Sequence, residues 1–286
     1  MKGFVNTILE KLSFIPDKTY LRIIYFLKLK KRISFKNPRS FNEKLQFLKL
    51  RQKNAFFSKL SDKYAVRDYV KEVIGKDVLT KILWIGESIE DIPFSKLPQR
   101  FVIKINCSSG QNILIKDKQE MDVVKVKKTL KKWLGQDYWK RSRELNYKGV
   151  RKKILIEEFL EDSKSFVPND FKFFVFNGKT RFVQIDVDRF KKHKRCIYDT
   201  NWNKQSFGLE YDFYEGNVEK PKNLKKMITY AEKLAKNLPF ARVDFYEVNN
   251  KVKFGEITFY PGGGLEKFFP NHDKLDKKFG DLMKIK

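Results

Sequence analysis

Asn177-Gly178 stands between two runs of strand-forming residues, Phe171 to Phe176 and Arg181 to Asp188, and an Asn-Gly pair in that setting is a strong short-range hairpin signal. A second hairpin follows, from Ala241 to Val248 through Asn249-Asn250 into Val252 to Tyr260. Between the two, Lys222 to Leu238 carries the apolar period of an amphipathic helix. Hairpins separated by such a helix predict an antiparallel sheet with helices on one side, and so an α+β carboxy-terminal half.

The amino-terminal half reads differently. Apolar periodicity runs through Tyr20 to Leu29, and Ser40 to Glu43 has capping-box spacing after Pro38, so residues 1 to about 60 are expected to be helical. A further helix is predicted from Asp62 to Val73, ending at Gly75. Val78 to Gly86 and Phe101 to Asn106 read as buried strands, and a polar loop, Ser108 to Asn112, precedes a short apolar run at Ile113 to Ile115. Residues 121 to 148 form a basic helical stretch, and Lys153 to Leu160 returns to strand character.

With 62 Lys and Arg against 35 Asp and Glu, the formal net charge is +27, a field that gathers anionic partners. The basic residues are spread along the chain without zinc-finger spacing, a basic helix joined to heptads or an RNP-like aromatic motif, so nucleic acid is not expected. An acidic polysaccharide, a nucleotide and an anionic membrane surface remain. Two cysteines, Cys107 and Cys196, are too few for a disulfide framework and imply a reducing compartment. With no signal-peptide pattern and no apolar stretch of membrane-spanning length, the expectation is a cytoplasmic protein. Phe4, Val5, Ile8, Leu9 and Leu12 share one helical face; core packing is its first reading and peripheral attachment to an anionic membrane its second.

Two acids inside apolar strands carry the chemistry. An unpaired carboxylate there is costly to desolvate, so Asp244 and Glu256 call for a cation. They fall opposite each other if the turn takes three residues, Asn249-Asn250-Lys251; a two-residue turn puts them on opposite faces. Hard oxygen ligands on adjacent strands suit Mg²⁺ completed by substrate phosphates. Arg242, two residues before Asp244, shares its face and could stabilise a phosphoryl group in transfer. The competing reading is a buried Arg242–Glu256 ion pair in a purely structural sheet. Lys104, a cation inside a strand, calls for an anion, and Arg67 is a second candidate. Beyond Asp186-Val187-Asp188 lie Arg189, His193 and Arg195, where an arginine could grip a carboxylate through paired hydrogen bonds; a solvated basic loop is the alternative.

Several ordered segments together resemble the ATP-grasp enzymes, and within them the TupA-like group associated with teichuronopeptide and capsular polysaccharide biosynthesis. They include Pro38 to Gln46, Asp62 to Arg67, Phe101 to Asp117, Ile156 to Leu160, Asp170 to Phe174, Asp186 to Phe190 and Ala241 to Gly264. The resemblance implies an ATP-grasp fold with an amino-terminal lobe over residues 1–98, a lid lobe over 99–160 and a catalytic lobe over 161–286. It implies that Arg67 and Lys104 hold nucleotide phosphates under a lid loop of Ser108, Ser109 and Gly110. Glu157 or Glu158 would reach the adenine amino group or the ribose. Asp244, Glu256 and Thr258 would bind Mg²⁺, with Arg242 beside the transferred phosphoryl group. Gly262 and Gly263 would lie near the acceptor. Two positions depart from the family pattern: Thr258 stands where asparagine is common, and Cys107-Ser108 where histidine and glycine usually precede the loop serine.

The activity so implied is an ATP-dependent carboxylate–amine ligase that makes an amide through an acyl phosphate, with a uronic acid of a cell-surface polysaccharide as carboxylate. Asp186-Val187-Asp188 also fits the Asp-x-Asp pattern of metal-dependent glycosyltransferases, which is the competing enzyme class. A non-enzymatic anion-binding protein is the third reading.

Overall fold

The computed structural model describes residues 14–52, 54–161, 168–187 and 193–285. Its first helices are α1 (Asp17–Leu29), α2 (Phe41–Lys49), α3 (Ala55–Ser61) and α4 (Val66–Ile74). The expected capping box is complete at the start of α2: the Ser40 hydroxyl accepts from the Glu43 N–H, and the Glu43 carboxylate accepts from the Ser40 N–H. The helix predicted from Asp62 starts later, at Val66. The Asp62 carboxylate accepts the Tyr64 and Ala65 N–H groups at 2.8 and 3.1 Å, which turns the chain before helix can propagate.

The central segment contributes β1 (Ile82–Gly86), β2 (Phe101–Ile105), β3 (Asn112–Ile115), α5 (Val123–Leu134), α6 (Tyr138–Ser142) and β4 (Ile154–Glu158). The strands form an antiparallel sheet in the order β1-β4-β2-β3. Period-two alternation buries Phe101, Ile103 and Ile105 against a core that includes Val126 and Leu130 of α5. The basic helical stretch expected over 121–148 holds two helices: α5 ends at Gly135, and Arg143 ends α6 in the left-handed region at φ 52°.

The carboxy-terminal part comprises β5 (Asp170–Phe176), β6 (Lys179–Val187), β7 (Lys194–Asp199), β8 (Gly208–Leu209), α7 (Leu224–Leu234), β9 (Phe240–Val248), β10 (Lys251–Thr258), β11 (Phe268–Phe269) and α8 (His272–Leu282). Five strands form an antiparallel sheet in the order β10-β9-β5-β6-β7, and β8 pairs with β11. Asn177 and Gly178 both have positive φ, 47° and 76°, as a two-residue hairpin turn requires. Lys194 and Arg195, for which a solvated basic loop is the alternative reading of the sequence, instead open β7, which pairs in register with β6. The charged Arg195 is carried into the sheet by acidic partners described below.

The two faces of this sheet differ. Phe171, Phe173, Val243 and Phe245 sit opposite one another on one face, buried in a core shared with Met227 and Ala231 of α7. On the other face, Phe174, Phe176 and Phe240 cluster with Phe41 of α2 and Phe279 of α8. Each of these buried rings contributes roughly 1.5–3 kcal/mol of transfer free energy. The remainder of that second face is polar, and it forms the site. Among the described residues, no helix is long and apolar enough to cross a membrane.

Candidate active site

Asp244 and Glu256 do face each other, by a route other than the expected one. The turn has two residues: Val248 pairs with Lys251, and Asn249 and Asn250 take the positive φ values of 49° and 62°. A bulge at Gly255 then shifts the register by one, so that Phe254 pairs with Phe245 while Glu256 pairs with Asp244 and Thr258 with Arg242. A Cβ at Gly255 would lie 3.0 Å from the Asp244 carbonyl oxygen and 3.3 Å from its Cβ, so glycine suits this close approach.

Arg242 gathers the group. Its Nε donates to Asp244 Oδ1 at 2.8 Å and its Nη2 to Asp244 Oδ2 at 2.7 Å. The same Nη2 lies 3.2 Å from both Glu256 Oε1 and Thr258 Oγ1, and the Thr258 hydroxyl donates to Glu256 Oε1 at 3.1 Å. Three oxygens from three side chains thus converge on one cationic nitrogen. Glu256 Oε2 faces Lys63 Nζ at 3.9 Å, beyond hydrogen-bonding distance. Asp244 is buried, whereas the Glu256 side chain is 37% exposed. Burial works against charge on Glu256, but Lys63, then Arg242 and Lys172, hold its carboxyl down to about 2. Burial pushes the Asp244 carboxyl up, and Arg242 and Lys172 pull it back.

The set of hard oxygens fits a divalent ion, and the Arg242 nitrogen stands where one positive charge can meet all three ligands. Among the described residues, no group of three His, Cys, Asp or Glu side chains could hold a metal alone. An ion here would need further oxygens from a substrate such as a nucleotide phosphate.

The other sequence candidates fall into groups. Lys104 Nζ donates to Glu157 at 2.6 Å, and Arg67 lies 3.7 Å from the same carboxylate while donating to the Thr80 carbonyl at 2.8 Å. Glu157, buried on β4, therefore bridges the two expected phosphate cations. Glu158 accepts the Lys81 N–H at 3.1 Å. In the polar loop, Ser108 is buried near the Ile105 carbonyl, while Ser109 and Gly110 are exposed and Gly110 has φ 71°. Cys107 is buried, and burial, then Asp62, pushes its thiol up to about 11, away from nucleophile chemistry.

Asp186 accepts Arg195 Nε at 2.7 Å and lies 3.3 Å from His193 Nε2; Arg195 also donates to the Leu209 carbonyl at 2.9 Å and to Glu266 at 3.0 Å. Arg195 is buried, 4% exposed, so it acts inside the sheet rather than as part of an open basic loop. Asp188 and Arg189 lie outside the described residues, as do Phe4, Val5, Ile8, Leu9 and Leu12. Gly262, Gly263 and Gly264 have φ of 54°, 67° and 69°, and this run in the left-handed region favours glycine.

Three lysines belong to the site without having been singled out in the sequence. Lys172, paired with Asp244 across β5 and β9, donates to Asp170 and to Asp244 (3.1 Å) and lies 3.8 Å from Asp186. A period-two signal was available, since Asp170 and Lys172 alternate with Phe171 and Phe173. Lys63 donates to the Ser108 carbonyl and so ties the polar loop to Glu256. Lys49 is buried beneath the glycine turn and donates to the Gly263 carbonyl at 2.7 Å.

The family model for TupA-like ATP-grasp proteins matches residues 43–284. No curated protein matches the chain. Among similar solved structures, a D-alanine–D-alanine ligase from Bacillus anthracis is 18% identical over 78% of this chain and 66% of its own, with a TM-score of 0.46. A phosphoribosylamine–glycine ligase from Thermotoga maritima is 13% identical over 81% and 57%, with a TM-score of 0.44. The ATP-grasp ligase PsnB, complexed with a precursor variant, Mg and ADP, is 8% identical over 76% and 56%, with a TM-score of 0.39. The chain spans two thirds or less of the length of each of these structures.

Proposed function

Since the chain belongs to the TupA-like ATP-grasp family and has its α+β ATP-grasp fold, we propose that it is an ADP-forming carboxylate–amine ligase acting on an acidic saccharide. The observation that carries this reading is the convergence of Asp244, Glu256 and Thr258 on the Arg242 nitrogen. A structural ion pair needs one acceptor, and three pre-positioned oxygens beside a further cation, Lys63, suit a phosphate–metal centre.

In this reading ATP is a substrate. Lys104 and Arg67 exchange Glu157 for nucleotide phosphates, under the loop of Ser108, Ser109 and Gly110; Glu157 or Glu158 then serves the adenine amino group or the ribose. Asp244, Glu256 and Thr258 hold Mg²⁺, which when bound supplies neutralisation of phosphate charge. Arg242 and Lys172 stabilise the phosphoryl group as the substrate carboxylate attacks the γ-phosphorus. The amine then displaces phosphate and an amide forms. Gly262 and Gly263 shape the acceptor end, with Asp186, Asp188, Arg189, His193 and Arg195 on the carboxylate side, Arg195 by positioning Asp186. The carboxylate is a uronate of a cell-surface polysaccharide or its precursor, and the enzyme works in the cytoplasm, at or near an anionic membrane face.

A glycosyltransferase built on Asp186 and Asp188 leaves the Arg242 cluster without a role, and a simple anion binder needs no carboxylates inside strands. A coupled ADP-release assay over a panel of uronic acids and amines separates the three. Sustained ADP formation that needs Mg²⁺ and both partners supports the ligase; release of a nucleoside diphosphate from a sugar donor, or no turnover at all, overturns it.

A further inference from the structure

A second cluster of buried ionisable groups borders the site. Glu144, 5% exposed, accepts the Tyr138 hydroxyl at 3.0 Å, and its own N–H donates to the Ser142 hydroxyl at 3.2 Å. Lys49, 1% exposed, donates to the Ser142 carbonyl at 2.9 Å and the Gly263 carbonyl at 2.7 Å, so one ammonium links the Glu144 segment to the glycine turn after β10. Gln46 donates to the Gly263 and Gly264 carbonyls at 2.9 and 2.8 Å and fixes the same turn. The segment is held from its other side by Tyr20, whose hydroxyl donates to the Arg141 carbonyl at 2.8 Å, and by Arg143, which donates to Asp17 at 3.0 Å. Tyr138 also lines a cavity of roughly 180 Å³ with Cys107, Tyr147 and Lys152, so open space reaches this segment beside the polar loop.

A carboxylate–amine ligase has an unmet need here. Most amines arrive at neutral pH as ammonium ions, which have no lone pair for attack on an acyl phosphate. Resting on the ligase reading above, we propose that Glu144 is the general base that frees the amine substrate. The Glu144 carboxylate takes one proton from the ammonium. The neutral nitrogen then forms its bond to the acyl carbon as the carbon–oxygen bond to phosphate breaks. The second nitrogen proton leaves with the phosphate, and Glu144 returns its proton to water. The surroundings suit the task. Burial pushes the Glu144 carboxyl up from the ordinary carboxylate range; Lys49, Tyr138 and Arg141 oppose this and Glu256 adds to it. Burial pushes the Lys49 ammonium down, against Glu144. Tyr147 and Tyr260, whose hydroxyls are raised chiefly by burial and next by Glu144, complete the groups facing it.

The test uses the full chain with uronic acids as carboxylates and two kinds of nucleophile: amino acids, protonated at neutral pH, and hydroxylamine, which is not. Glu144→Gln should lower amide formation by about 10²–10⁴-fold at neutral pH, while hydroxamate formation stays within about threefold of wild type. Its residual amide rate should climb roughly tenfold per pH unit until the amine itself loses its proton. Tyr138→Phe removes a donor that favours the charged carboxylate, so it should fold normally and move the acidic limb of the amide profile to higher pH. Equal loss of amide and hydroxamate in Glu144→Gln, or an unshifted profile in Tyr138→Phe, would overturn the assignment. A wild-type enzyme that forms neither product sinks the ligase reading itself, and with it this proposal.

Discussion

Asp244 and Glu256 look equivalent in sequence, and their surroundings separate them. Glu256→Gln is expected to abolish Mg²⁺-dependent ADP formation with little change in Tm, since its side chain is over a third exposed. Asp244→Asn should also abolish activity, but it leaves Arg242 and Lys172 buried without their shared anion and should cost about 3–5 kcal/mol of stability. A thermal melt beside an ADP assay for each variant distinguishes the two. Asp186 bears on acid stability. Burial opposes its charge, yet Arg195 first and Lys172 next hold its carboxyl well below the usual range. Its contribution is therefore full above the unfolded carboxylate value of about 4 and fades only as pH falls below that toward the folded value. Arg195→Ala removes the main partner, raises the folded value and should move acid unfolding to higher pH, read by circular dichroism against pH.

The bulge in β10 is the element on which the site turns. Deleting Gly255 should turn the pairing into a regular two-residue hairpin in which Glu256 follows Phe254 directly and still meets Asp244, so strand content by circular dichroism and Mg²⁺-dependent turnover should both persist. Lost turnover with intact strand content would mean that the facing of the two acids is not sufficient and that the bulge itself shapes the site. Much of this region was legible in the sequence. The hairpin, its asparagine turn and the two acids follow from strand propensity and from the cost of burying charge. The bulge was not legible, because a glycine inside a strand signals a defect without fixing which register it produces. Lys49 and Glu144 were hidden for another reason: they are 95 positions apart, and no local period links a lysine at the end of α2 to a glutamate after α6. The strand from Lys194 to Asp199 was not legible because the charges at its start mask it, and Arg195 finds its acidic partners, Asp186 and distant Glu266, only in the fold.

Over the whole molecule, the charge of +27 coexists with a site whose own charges nearly cancel. Asp170, Asp186, Asp244 and Glu256 stand against Lys63, Lys172, Arg195 and Arg242, so the surplus lies elsewhere on the protein. Binding of a polyanionic acceptor should then depend on ionic strength more than binding of a single uronate does. Raising salt from about 0.05 to 0.5 M should increase the KM of an oligomeric uronate roughly tenfold and that of the monomer far less, measured in the ADP assay. Parallel curves for the two would mean that the surplus charge does not serve the acceptor. The coarse plan of hairpins around a helix follows from patterning, whereas the close pairing of lysines with acids from other segments is a property of the folded chain alone.

A two-residue turn and a one-residue bulge together amount to a parity rule. Eleven residues separate Asp244 from Glu256 and paired positions come in twos, so at this spacing an odd number must stay unpaired, and these are the two asparagines and Gly255. Only the sum matters to which way Glu256 faces, not where the positions fall. Inserting one residue between Asn249 and Asn250 in a chain that lacks Gly255 keeps both the spacing and that sum, so the third unpaired position should pass from the strand to the turn with the facing acids and the activity retained.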